Sequence, residues 1–254
     1  DSIWKKNNQK GKNVVFIRYD TSKNIQKKEG FVEVNNEYSE TMINILYNIK
    51  EEEIPKEYKI ISNKLNGKAL DKFNIISSQF SIHYYFKDEE TLRGYLSNIS
   101  ENIKSGGFFI GTCYDGEKIF KELEKPEKFE YIDKNKDVVY RIEKDYNIKD
   151  FKFNNDNMKN MLGQKINVYM ESIGQNITEY LVNYEYFIDI MKQYDFKPHK
   201  PEMQTKFNKV IKNDIGSFLD IINELETLKK NDTDLNNYYK GCLDILKDPA
   251  LMKL

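Results

Sequence analysis

The ten residues Ser77-Ser78-Gln79-Phe80-Ser81-Ile82-His83-Tyr84-Tyr85-Phe86 put an amide, an imidazole and several flat rings into one short run. A strand-like stretch, Phe73-Asn74-Ile75-Ile76, leads into it, and a core strand would either continue or stop at a turn. This one delivers polar groups and rings to a single place. Such rings stack on a purine, a contact worth ~1–3 kcal/mol per base. Asp20 follows another apolar run, and a carboxylate there suits the exocyclic amine of an adenine. The same residues also suit packing. Phe80, Ile82 and Phe86 fit a core wall, and one histidine among rings fits a hydrogen-bonded packing residue. Residue chemistry leaves both readings open.

The elements that must position these groups follow from periodicity. Val14-Val15-Phe16-Ile17-Arg18 reads as a strand that places Tyr19-Asp20-Thr21 at its end. Lys72–Ser77 is the clearest strand. Leu92, Tyr95, Leu96, Ile99 and Ile103 recur at three- and four-residue spacing, which predicts an amphipathic helix over 89–103. Ser105-Gly106-Gly107 is expected to end it, and Phe108-Phe109-Ile110-Gly111-Thr112 to form the next strand. Strand, helix, glycine turn and strand make a βαβ unit of a parallel sheet. In such sheets ligands bind beyond the C-terminal strand ends, where Asp20, Gln79, Phe80, His83 and Tyr84 fall.

Residues 30–66 read as an insertion or elaborated crossover, with a helical face at Thr41–Leu46 and a solvated run at Glu51-Glu52-Glu53. Residues 128–170 shift to short antiparallel pieces: 129–131, 138–142, 149–153 and 166–170. Thr178–Tyr194 is expected to be helical, with Thr178 as its N-cap. Residues 207–254 are helix-prone in patches. The fold expected is α/β, one domain over 1–254, with a Rossmann-like sheet, helices on both its faces and a small antiparallel insertion.

A net charge of −1 gives no global attraction for nucleic acid, so any basic surface is local. Two cysteines, Cys113 and Cys242, lack paired spacing, which fits a reducing compartment. Two histidines support no His-based metal site, and no run nears the roughly 20 apolar residues of a membrane span. Metal and membrane are therefore not expected.

SSQFSIHYYF resembles the Gln-Phe-x-x-His-Tyr motif of messenger-RNA cap guanine-N7 methyltransferases, followed there by a further aromatic. Gly106-Gly107-Phe108-Phe109-Ile110-Gly111-Thr112 is similar to that family's Gly-Gly-aromatic-x-Ile-Gly-Thr strand. Ile177–Val182, with Tyr186-Phe187 and Tyr194-Asp195-Phe196, is similar to its Glu-Tyr-Leu helix and Tyr-Gly-Phe-like turn. Arg18–Lys23 resembles its Asp-Ser-Ser segment. The likeness runs in order from about Asp1 to Phe196.

The resemblance implies a class I methyltransferase using S-adenosylmethionine, without a metal, on the capped 5′ end of RNA. Asp20 would hold the adenine amine, while Gln79 and the backbone around Phe80 would position the methionine part, with Tyr84 beside the methyl donor. His83 and Tyr84 would contact the cap guanine. Glu179 would accept hydrogen bonds from guanine N1–H and the 2-amino group, a pair of adjacent donors that a carboxylate matches. On residue chemistry alone Glu179 equally suits the first turn of a helix, where the dipole favours it.

The family's glycine-rich motif, the acidic residue after its second strand and its terminal strand are not seen. The expectation is a partial view of a longer protein, with triphosphatase and guanylyltransferase domains on the same chain or an activating subunit. The lysine- and asparagine-rich composition resembles the capping enzymes of large DNA viruses, which implies a viral factory in the host cytoplasm or a virion. Lys5 and Lys6 are candidates for the cap phosphates. The alternatives are a methyltransferase-like subunit without activity that supports a partner, and another class I methyltransferase.

Overall fold

The computed structural model describes residues 14–32, 36–49, 54–133, 135–154 and 156–199. Glu51-Glu52-Glu53, Lys5, Lys6, Cys242 and the helix-prone tail lie outside them. The chain divides into two compact units, one formed by residues up to Gln79 with Asp88–Gly111, the other by Phe80–Lys87 with the residues from Thr112 on.

The first unit holds helices α1 (Glu37–Leu46) and α2 (Lys59–Leu65) and strand β1 (Phe73–Gln79). A single turn, α3 (Ile82–Tyr85), belongs to the second unit, and α4 (Glu89–Asn102) then leads to β2 (Ile103–Thr112). Asp88 caps α4 by accepting from the Thr91 N–H at 2.8 Å, and Glu89 and Glu90 occupy the first turn, where the helix dipole favours them. Leu92, Tyr95, Leu96 and Ile99 are buried as their spacing predicts, and Tyr95 meets Phe109 edge-on at 6.5 Å.

The β1–β2 pair is parallel. The Asn74 carbonyl lies beside Gly107, and the Phe80 N–H donates to the Thr112 carbonyl at 3.0 Å, so both strands advance together. The predicted βαβ unit is therefore present, with one correction. The helix passes into β2 at Ile103 without a separate glycine turn, and Gly106, at φ +76°, bends the strand from within. A second correction concerns Val14–Arg18, which is not a strand. β-branched residues only favour extension, and a ladder also needs a neighbour, which the described residues do not supply.

The second unit is built on an antiparallel sheet in the order β3 (Lys128–Ile132), β4 (Val138–Asp145), β5 (Lys165–Met170), β6 (Gln175–Tyr180). Residues 149–153 are not a strand, and the sheet runs ten residues further than 128–170. Thr178 caps no helix. Gly174, at φ +72°, turns the chain after β5 so that Ile177 faces Val168 and Glu179 faces Ile166. The helix expected from Thr178 starts later, as α6 (Tyr184–Lys192), capped by Asn183, whose side chain accepts from the Tyr186 N–H at 2.9 Å. Between the hairpin partner upstream and the buried 186, 187, 190, 191 face downstream, tertiary pairing takes Gln175–Tyr180 for the sheet.

Asp195 follows α6 at φ +63°, the left-handed position of the glycine in the Tyr-Gly-Phe-like turn, and the Phe196 N–H returns to the Met191 carbonyl at 3.2 Å. The core of this unit gathers Phe86 against Tyr186 and Phe187, and Phe120 stacked on Tyr146 and Phe151. Helix α5 (Gly116–Glu122) contributes Phe120.

Candidate active site

Strand β6 and the α3 turn bring His83, Tyr84 and Glu179 together within the second unit. Period-two alternation sends Ile177 and Glu179 to the inner face of the sheet and Thr178 to the outer one, so Glu179 is 5% exposed, opposite the buried Ile166. It is thus a strand carboxylate, and the helix-dipole explanation of this residue falls. On α3, Ile82 and Phe86 are buried four residues apart and anchor the turn, which leaves His83 facing inward at 2% exposure.

The His83 Nε2 lies 3.4 Å from Glu179 Oε1, and the Tyr84 hydroxyl donates to the same oxygen at 3.4 Å. Tyr84 meets the imidazole edge-on at 4.3 Å. Burial, and then the Glu179 carboxylate, push the Tyr84 phenol above its ordinary range, so it stays a donor. Neither nitrogen of His83 nor the second carboxylate oxygen of Glu179 has a hydrogen-bond partner. Each such orphan costs about 1–3 kcal/mol when buried.

Two further residues join this cluster that the sequence reading does not single out. Tyr114 stacks on His83 at 5.4 Å and 25°, and Tyr140, on β4, is buried on the same sheet face as Glu179. Tyr114 follows a strand end, the signal that singled out Gln79 and Asp20. Tyr140 carries no local signal, because only strand pairing sets its face.

Phe80 follows β1 at φ +49°, a conformation costing ~1–3 kcal/mol for a residue with a side chain. Its N–H donates to both the carbonyl and the hydroxyl of Thr112 at 3.0 Å, which over-determines the bend and leaves the ring 52% exposed. Gln79 and Asp20 belong to the other unit. The Gln79 amide donates to Ser77 Oγ at 2.9 Å.

Asp20 sits in a fixed turn. Its Oδ1 accepts from the Ser22 N–H and hydroxyl at 2.9 and 2.7 Å, and its own N–H donates to the Gly30 carbonyl at 2.8 Å. Buried Asn98 of α4 holds the following residues, donating to the carbonyls of Thr21 and Lys23 at 2.7 and 2.6 Å and accepting from the Ile25 N–H at 3.1 Å. The Asp20 carboxylate is left exposed on this turn. Among the described residues no three His, Cys, Asp or Glu side chains gather as metal ligands would, and no helix is long and apolar enough to cross a membrane.

Residues 56–240 match the model of the mRNA (guanine-N(7))-methyltransferase domain. An mRNA cap guanine-N(7) methyltransferase of Eremothecium gossypii is 30% identical over 153 residues, 58% of this chain and 33% of that protein. The Saccharomyces cerevisiae protein of the same name is 30% identical over 154 residues, again 58% and 33%. A "probable mRNA-capping enzyme" of Acanthamoeba polyphaga mimivirus is 32% identical over 130 residues, 48% of this chain and 10% of that protein. The chain thus spans about a third or less of these relatives. With the Gln-Phe-x-x-His-Tyr turn, the parallel strand pair and the strand glutamate in place, it belongs to the mRNA (guanine-N(7))-methyltransferase domain family.

Proposed function

We propose that the protein containing this chain methylates N7 of the cap guanine of RNA. The observation that carries the proposal is the buried, orphaned set formed by both nitrogens of His83 and Glu179 Oε2. The substrate's N7 has an unprotonated lone pair at neutral pH, so the site needs no general base. S-adenosylmethionine supplies an electrophilic sulfonium methyl when bound. Asp20, Gln79, the backbone at Phe80 and Tyr84 are the residues proposed to hold it.

The chain's own part is placement. Glu179 accepts from guanine N1–H and the 2-amino group, and His83 and Tyr84 grip the ring, fixing the direction in which N7 points. Holding two reactants in line lowers a barrier by roughly 7–11 kcal/mol in favourable cases. The Glu179 carboxylate also favours the positive charge that N7-methylguanine carries. The partners proposed are the capped 5′ end of RNA and, from the mimivirus likeness, further capping activities on the same polypeptide or an activating subunit. A reducing viral factory or virion is the proposed setting.

The test is methyl transfer by the full-length protein from a labelled donor to GpppG-capped RNA, followed by digestion and chromatography of the cap. Label in 7-methylguanine is expected. Cap binding without transfer would identify a methyltransferase-like subunit without activity, and label elsewhere another methyltransferase.

A further inference from the structure

The His83 imidazole is almost fully buried, yet no hydrogen bond sets its orientation. Its Nε2 is within ion-pair reach of Glu179 and is not aligned to donate. A buried imidazole and carboxylate this close gain by closing on each other. Two rings flank the imidazole. Tyr84 touches the imidazole edge-on, and Tyr114 lies flat against it.

Of these two rings Tyr114 is the better anchored. Tyr84 is 40% exposed on a single helical turn. Tyr114 sits between two fixed neighbours. Asp115 caps α5 by accepting from the Lys118 N–H at 3.0 Å, and the Gly116 N–H donates to the Val182 carbonyl at 3.2 Å. A Cβ on Gly116 would collide with that carbonyl, so this loop packs directly on the chain three residues past Glu179. Tyr140, on the same sheet face as Glu179, brings its buried hydroxyl within reach of that of Tyr114, close enough for each to act on the other's ionisation. Burial first, and Glu179 in addition, hold both phenols above their ordinary range, so both remain neutral donors.

We infer that Tyr114, backed by Tyr140, is a positioning residue for cap recognition: its ring keeps the His83 imidazole open beside Glu179, so that both face one purine instead of closing on each other. This rests on the guanine assignment above, and adds a brace between the sheet and the α3 turn.

The experiment compares Tyr114→Leu, Tyr114→Phe and Glu179→Gln in the full-length protein, reading KM for capped RNA, kcat, methyl-donor affinity and thermal stability. Tyr114→Leu is expected to raise KM for capped RNA about 10-fold, the upper worth of an aromatic contact, with kcat and donor affinity within about twofold. Tyr114→Phe keeps the stack and is expected to restore KM to within about threefold. Should the leucine variant not fold, Tyr114→Met fills the space without a flat ring and takes its place. If Glu179→Gln raises KM while removal of the Tyr114 ring does not, the brace is wrong and the guanine assignment stands. If Glu179→Gln also leaves KM unchanged, the guanine assignment itself fails. Equal losses of cap and donor affinity on removing the ring would mark Tyr114 as merely structural and overturn the inference.

Discussion

Among the described residues, two groups of buried polar side chains are treated in opposite ways. Beneath the Asp20 turn, buried Asn98 spends its donors and acceptor on Thr21, Lys23 and Ile25, and Asn102 donates to the Asn98 carbonyl at 2.7 Å while accepting from the Tyr47 hydroxyl at 2.5 Å. Between β6 and the α3 turn, His83 and Glu179 are as deeply buried and keep unpaired atoms. A satisfied network fixes a backbone, whereas an unsatisfied one holds capacity in reserve for what binds. The first arrangement presents a carboxylate from a rigid turn. The second keeps unspent hydrogen-bonding groups inside the unit, and these are the groups proposed to meet the cap guanine.

The sharpest test of this contrast separates stability from binding. Glu179→Ala in the full-length protein is expected to weaken a cap analogue about 100-fold or more, as loss of a buried charge-assisted contact does, and to leave methyl-donor affinity within about twofold. Fold stability should change by less than ~1 kcal/mol, since no aligned short hydrogen bond is lost. Calorimetric titration of each ligand and urea unfolding read these, and equal losses for the two ligands would remove the assignment.

Asn98→Ala should do the reverse, costing about 2–3 kcal/mol of stability in urea unfolding, because three backbone groups lose their partner. A neutral result would erase the distinction between the regions. Asp20→Ala is expected to raise the methyl-donor KM about 10-fold with cap-analogue affinity unchanged, since its carboxylate is exposed and its neighbours are held by Asn98. Loss of cap binding instead would refute its role.

The smallest effect concerns pH. Burial, with Asp115 nearby, pushes the Cys113 thiol up to about 11 from the ordinary 9.0. The folded state keeps a proton that the unfolded chain releases, so this contribution is complete below pH 9 and is lost as pH rises towards about 11. Unfolding curves across that window should fall by about 1 kcal/mol more for the wild type than for Cys113→Ser. Identical slopes would show that Cys113 is not held in a dry environment.

Much of this was legible locally. The 92, 95, 96, 99 spacing with Asp88 ahead of it specifies α4, and the sequence motif placed His83 and Tyr84 beyond a strand end. The Val14–Arg18 run shows the limit, since extension without a neighbour is not a strand. Gln175–Tyr180 shows it again. Its residues tolerate helix or strand over a stretch too short for periodicity to decide, and pairing with β5 settled the matter.

By itself, then, the sequence determined the chemical inventory, the βαβ unit and the resemblance in motif order, because capping, amphipathic spacing and short motifs are encoded within a few residues of one another. Only the tertiary structure decided that Glu179 stands on a strand, that it meets His83 from almost a hundred residues away, and that Tyr114 and Tyr140 belong with them. Strand register and face are set by partners distant in the chain, and burial without hydrogen bonds is a property no single segment possesses.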